Sequence, residues 1–156
     1  MKVNCVGVVD TTFARVDMAR YVIEVLEKHL AGYRIVRHTV PGIKDIPAAA
    51  KRIIDMGCEG VITLGWVGPG QVDKYSYLAS SIGLIILGVM TGKIIIDVTV
   101  HEDEADKPEE LKRIAIHRAR THAENLVALL KGGPQALTPK AGMGIRQGYP
   151  DVGPIK

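Results

Sequence analysis

The sequence predicts a three-layer α/β domain built on a four-stranded parallel sheet, and three observations carry that prediction. Short β-branched runs alternate with amphipathic stretches of helical length, the runs are apolar on both faces, and most are bounded by Gly, Pro, Asp or Thr. Strands that alternate with helices require right-handed crossovers, so the strands lie parallel with helices on both faces of the sheet. At 156 residues and 47% apolar the chain has enough material for one domain with a proper core.

Val3 to Val9 reads as the first strand, closing on Asp10-Thr11-Thr12. Val16, Ala19, Val22, Ile23 and Leu26 then recur at helical spacing until Gly32 stops the helix. Tyr33 to Val40 is the second strand, Pro41-Gly42 a turn, and Ile46-Pro47 opens a helix that turns Ala50, Ile53 and Ile54 inward before Gly57. Gly60 to Gly65 is the third strand. Residues 73–90 are read as helix despite Gly83 and Gly88. Lys93 to Val100 is the fourth strand, followed by a helix capped by Asp106, with Pro108 in its first turn and Glu109 and Glu110 at the positive end of its dipole. Leu111, Ile114, Ala115, Ala119, Ala123, Leu126, Val127 and Leu130 form its apolar stripe. Residues 1–131 thus make one domain, and the Gly- and Pro-rich residues 132–156 are either a loose tail or an arm laid on something.

Composition excludes several classes of function. A net charge of +3 with a pI near 8.9 is mildly basic, and the cations are interspersed with acids, so nucleic acid is not expected as a partner. No apolar run approaches the roughly 18 residues of a membrane span, and the N-terminus lacks a secretory pattern. A cytoplasmic protein is expected, with Cys5 and Cys58 as buried thiols because they show neither CxxC spacing nor a nearby His pair.

In a sheet of this kind ligands gather at the carboxyl ends of the strands. Segments 10–15, 40–46, 65–75 and 101–105 should therefore converge. The third of these, within LGWVGPGQVDKYSYL, has the strand-loop-helix form that cradles phosphates elsewhere, yet Pro69 removes an amide donor. Phe13 and Trp66 are the aromatic rings at strand ends; each can stack on a planar ligand or simply pack, Trp66 also at a subunit contact. His101 closes the fourth strand and has the side chain suited to proton transfer near neutral pH, against a structural role. Glu102 and Asp103, with Glu104, can hold a hard cation such as Mg²⁺ or form a solvated surface. His117 and His122 lie five residues apart on the last helix, not at the spacing of a helical metal pair, and read as solvent or interface residues. Arg146, Gln147 and Tyr149 of the tail can close a site on a neighbouring subunit or belong to a disordered end.

Three quoted stretches resemble the lumazine synthase family, and within it the archaeal riboflavin synthases: DTTFARVDMA (10–19), TVPGIKDIPAAAKRI (39–53) and LGWVGPGQVDKYSYLAS (64–80). The similarity runs over nearly the whole chain, and the second stretch, with Val-Pro-Gly, an acid and a following Ile-Pro, is the most specific. Two departures separate the chain from lumazine synthases. Pro69 stands where that family has a phosphate-binding Arg, and Lys74 where it has a His; and VHEDEA follows the fourth strand in place of a Glu-Gln-Ala run with a second phosphate-binding Arg. VHEDEA, HAEN (122–125) and AGMGIRQGYPD (141–151) are instead similar to archaeal riboflavin synthases.

The resemblance implies a flavodoxin-like, lumazine synthase-like fold and a transferase of riboflavin biosynthesis. Two 6,7-dimethyl-8-ribityllumazines would dismutate to riboflavin and 5-amino-6-ribitylamino-2,4-pyrimidinedione, with no organic cofactor, in a homopentamer whose sites lie between subunits. Expected substrate-binding residues are Thr12, Phe13, Pro41, Gly42, Ile43, Lys44, Asp45, Leu64, Gly65, Trp66 and Gln147, with Lys44 contributing only its amide and no role carried over from the family; Asp45 aligns with the acid that binds the ribityl chain, against a plain helix cap. His101 and Lys74 are the expected catalytic pair, with Glu102 and Asp103 as possible Mg²⁺ ligands. The alternatives are a lumazine synthase and a non-catalytic flavin- or pterin-binding module.

Overall fold

The computed structural model describes residues 3–156, in which four parallel strands form one sheet in the order β2-β1-β3-β4. The strands are β1 (Cys5–Thr11), β2 (Arg34–Val40), β3 (Gly60–Val67) and β4 (Ile94–His101), and the helices are α1 (Met18–His29), α2 (Ile46–Asp55), α3 (Gln71–Thr91) and α4 (Pro108–Gly132). β1 and β3 are central and fully buried, which is why they read as unbroken apolar runs, whereas β2 and β4 are edges with partly exposed residues.

Each face of the sheet has its own core. On one, Val6, Val8, Ile62, Leu64 and Val98 pack against Met18, Val22 and Leu26 of α1 and Leu111, Ala115 and Leu126 of α4. On the other, Val9 and Val61 meet Ile46, Ala50 and Ile53 of α2 and Leu84 of α3. The alternation of Cβ direction along β1 assigns Val8 to one face and Val9 to the other. Leu111 through Val127 of the predicted α4 stripe are all buried.

The structure departs from the sequence reading in several places. The side chain of Asp106 does not cap α4; Lys107 occupies the cap position, extended and without a side-chain cap bond, and Pro108 begins the helix. Cys5 and Cys58 are paired in a disulfide rather than free. Their separation of 53 residues hides that pairing β1 with β3 sets Val6 opposite Gly60 and so brings the two cysteines together. The helix read over 73–90 is present as α3. It runs 21 residues without interruption and is, by length and composition, long and apolar enough to cross a membrane. Gly83 and Gly88 interrupt the apolar pattern but not the helix. At Gly83 a Cβ would stand 3.1 Å from Pro47 of α2, so this glycine permits a close helix–helix approach. The inner side of α3 therefore packs on the domain, while Val72, Leu78, Ile85 and Val89 lie exposed on its outer side.

The last residues form an ordered arm. It turns at glycines with positive φ, among them Gly144 and Gly148, closes on itself through the Val152 amide and Gly144 carbonyl (3.0 Å), and lies along α4.

Candidate active site

The strand ends converge as the topology requires, but the residues they carry divide into two groups on either side of the β3–α3 connection. The first lines a cleft of about 180 Å³. Phe13 follows β1, Pro41 to Asp45 follow β2, Trp66 and Val67 end β3, and Asp73 and Ser76 come from the first turns of α3. Phe13 is 50% exposed, so its ring stands at the rim instead of packing beneath α1. Thr12 braces the opposite loop by donating its hydroxyl to the Pro41 carbonyl (3.2 Å). Trp66 is 1% exposed, and its indole N–H donates to Glu102 (3.1 Å). That ring forms a wall and has no free face for stacking.

Asp45 accepts the Gly42 amide at 3.1 Å, so one carboxylate oxygen caps the short 3-10 turn (Ile43–Asp45) that leads into α2 while the residue still borders the cleft. Gly65 lets β3 pass under the loop: a Cβ there would lie 2.7 Å from the Ile43 side chain. Leu64 does not reach the cleft. It is wholly buried in the α1/α4 core, since adjacent strand residues point to opposite faces.

The loop between β3 and α3 holds a carboxylate of the chain itself. Asp73 reaches back to accept the Gly70 amide at 3.1 Å, and a Cβ at Gly68 would stand 2.6 Å from the same oxygen. The positive end of α3 is thus already supplied with an anion, and with Pro69 contributing no amide the geometry opposes a phosphate.

The second group lies on the adjoining face of α3. Asp73 and Ser76 share one face by their i, i+3 spacing; Lys74 and Tyr77, one position on, share the next and point to the end of β4. Lys74 Nζ lies 2.9 Å from His101 Nδ1 and 2.9 Å from Asp103, and the Tyr77 ring meets the imidazole edge-on at 4.9 Å. Burial pushes the His101 pKa below its ordinary value, and the Lys74 charge pushes it the same way, against a partial offset from Glu104 and Asp103. His101 is therefore neutral at pH 7. With the Lys74 ammonium donating to Nδ1, the ring proton sits on Nε2. If that proton is given up as Lys74 supplies another to Nδ1, Nε2 is left as an acceptor, so the pair can act first as acid and then as base.

Glu102 and Asp103 do not fit a Mg²⁺ site. Glu102 accepts from the Trp66 indole and from Arg15 (3.3 Å), and Asp103 is paired with the Lys74 ammonium, so both carboxylates are already engaged. Among the described residues no group of three or more His, Cys, Asp or Glu is arranged to hold a metal.

Glu104, Arg118 and Tyr149 were not separable in the sequence as a unit. Arg118 makes a two-pronged ion pair with Glu104 (2.8 Å each), and Tyr149 donates its hydroxyl to the same carboxylate (2.8 Å). Burial alone would raise the Glu104 pKa, but the Arg118 fork, the His101 amide, the Tyr149 hydroxyl and the Arg118 charge together hold it down at about 2. The tail residues expected to reach a neighbour dock on their own chain: the Gln147 carbonyl accepts from Arg118 (3.2 Å), and the Gly148 amide donates to His117 (2.9 Å), so His117 is an anchor for the arm and not a free surface residue.

A chain that spends its strand ends on an apolar cleft and an acid–base pair, and fills its own helix N-terminus with a carboxylate, is of the class of flavodoxin-like α/β enzymes acting on small molecules. Residues 4–132 match the family model for 6,7-dimethyl-8-ribityllumazine synthase. The chain belongs to that lumazine synthase-like family, whose members are enzymes of riboflavin biosynthesis. It is 72% identical to a riboflavin synthase of Aeropyrum pernix, over 98% of this chain and 99% of that one, and 53% identical to a riboflavin synthase of Methanothermobacter thermautotrophicus, over 96% and 98%. Its likeness to a 6,7-dimethyl-8-ribityllumazine synthase of Bdellovibrio bacteriovorus, 40% identical, covers 28% of this chain and 24% of that one.

Proposed function

We propose that the chain is a cytoplasmic riboflavin synthase that dismutates two 6,7-dimethyl-8-ribityllumazines, one giving its four-carbon unit to the other, to yield riboflavin and 5-amino-6-ribitylamino-2,4-pyrimidinedione. What one molecule loses the other gains, so the exchange needs no outside oxidant or reductant. The observation that carries the reading is the Asp73 carboxylate on the Gly70 amide. Lumazine synthesis uses a phosphorylated four-carbon substrate, and this chain meets it with an acid at the helix N-terminus and with no arginine in the β3–α3 connection. The names of the two long-range relatives support the same choice.

The reacting methyl group of the lumazine is already acidic, because its carbanion delocalises into the ring. Holding two rings face to face contributes about 7–11 kcal/mol, more than one positioned base supplies at about 10²–10⁴-fold. Phe13 offers a face for one ring, the 41–45 turn and Asp45 meet the ribityl hydroxyls, and Lys74 with His101 moves the protons. The cleft and the His101 pair lie on opposite flanks of the β3–α3 connection. We assign the complete site to the contact between neighbouring subunits of a homopentamer, where one chain's cleft faces the next chain's β4 end, and the exposed apolar side of α3 supplies the surface for that contact.

The test supplies the protein with either substrate set in separate reactions. Lumazine alone should give riboflavin, with EDTA making no difference; the pyrimidinedione with the phosphorylated four-carbon compound should give no lumazine. The reverse pattern would make the chain a lumazine synthase, and binding without turnover of either set would make it a binding module.

A further inference from the structure

The C-terminal arm and the end of β4 meet on one guanidinium. Arg118, from the middle of α4, donates to the Thr99 carbonyl (2.8 Å), to both oxygens of Glu104 and to the Gln147 carbonyl of the arm. Glu104 in turn accepts the His101 amide (2.8 Å) and the Tyr149 hydroxyl. The Arg118 and Glu104 side chains are only 11% and 17% exposed, and the Tyr149 ring lies 5.5 Å from the Arg118 guanidinium carbon. The arm is cut to fit this pair: Gly148 has φ +90, and a Cβ there would stand 2.7 Å from the guanidinium.

A half-buried ion pair roughly breaks even against its desolvation, so its specific contribution is geometry. The bonds to the Thr99 carbonyl and the His101 amide lie on either side of Val100 and pin the last turn of the strand from which the imidazole projects. We propose that the arm is a strap that sets the position of His101, with Glu104, Arg118 and Tyr149 as positioning residues that act through the backbone at 99 and 101 and never touch substrate. The proposal rests on the riboflavin synthase reading only for its kinetic readout.

A misplacement of about 1 Å can cost about 10²-fold in rate. Arg118→Ala should therefore lower kcat for riboflavin formation by about 10- to 100-fold with little change in KM. Arg118→Lys, which keeps the charge but loses the fork, should recover part of the loss. Tyr149→Phe keeps the ring and removes one hydrogen bond; it should lower kcat by a smaller factor, and it decides the matter if Arg118→Ala fails to fold.

The second readout is the titration of the His101 imidazole by NMR, which needs no turnover. The charged or titratable groups around that ring are Lys74 and Tyr77 from α3, Asp103 and Glu104 from the turn, and Arg118 from α4. Losing the Arg118 cation should move the titration to higher pH, and Glu104→Gln should move it lower. A strap that serves stability alone would lower Tm and leave kcat and the titration unchanged. That result in folded Tyr149→Phe and Arg118→Lys overturns the proposal. Should the unsubstituted protein make no riboflavin, the functional reading fails, and the His101 ring shifts and titration in Tyr149→Phe, which removes no charge, still decide the strap.

Discussion

Asp73 serves at the head of α3 as the anion that a phosphate supplies in related loops, and a stability cost follows from that role. Asp73→Ala should lose about 0.5–2 kcal/mol in denaturant unfolding, the ordinary cost of a lost helix cap. Leu64→Ala should lose more, about 2–5 kcal/mol, because it opens a cavity in a core that lies away from the cleft. For folded protein its KM should be unchanged, in contrast to Phe13→Ala, whose side chain stands at the cleft rim. Two ionisable groups set the pH behaviour. His101 is held neutral, with its pKa below the ordinary 6.5, so activity that needs the neutral ring falls as pH drops through that lowered value; a pH profile of kcat measures it. Glu104 titrates at about 2 when folded and near 4.5 when unfolded. Its contribution to stability is complete above about pH 4.5 and is lost as pH falls toward about 2. Glu104→Gln should flatten that acid limb in a Tm-against-pH series.

The strand-end residues were legible at this scale because topology alone delivers them: Phe13, the 41–45 turn and Trp66 follow directly from three strands ending together. The strap was not. Glu104 is one acid among three, and its partners lie 14 and 45 residues away. A signal was nevertheless present. Arg118 falls four residues after Ile114 and three after Ala115, on the buried side of α4, where an unpaired cation is not tolerated.

At the scale of elements, the alternation of strand and helix fixed the architecture. The helix over 73–90 was legible despite Gly83 and Gly88, and α3 runs through both, with Gly83 set close against Pro47. The cysteines misled, since 53 intervening residues conceal a pair of neighbours brought together by adjacent strands. Closing a loop of that length removes enough unfolded-state freedom to contribute about 4 kcal/mol. Reduction, or the Cys5→Ser/Cys58→Ser double variant, should lower stability by up to that amount without altering KM, as paired unfolding and activity measurements would reveal.

For the whole molecule, the proposed reading joins two functional groups on opposite flanks of one connection, with an exposed apolar helix face between them, through a second copy of the chain. Ile85→Asp should therefore dissociate the assembly in sedimentation and abolish turnover together, although residue 85 lines neither group. Mixing Phe13→Ala with His101→Ala chains, each nearly inactive alone, should restore part of the activity, because some contacts then join an intact cleft to an intact acid–base pair. The most direct test of the central claim is the product ratio from a single substrate. Protein incubated with 6,7-dimethyl-8-ribityllumazine and nothing else should form riboflavin and the pyrimidinedione in equal amounts, two lumazines disappearing for each pair. No riboflavin, or riboflavin only when a separate four-carbon donor is added, would contradict it.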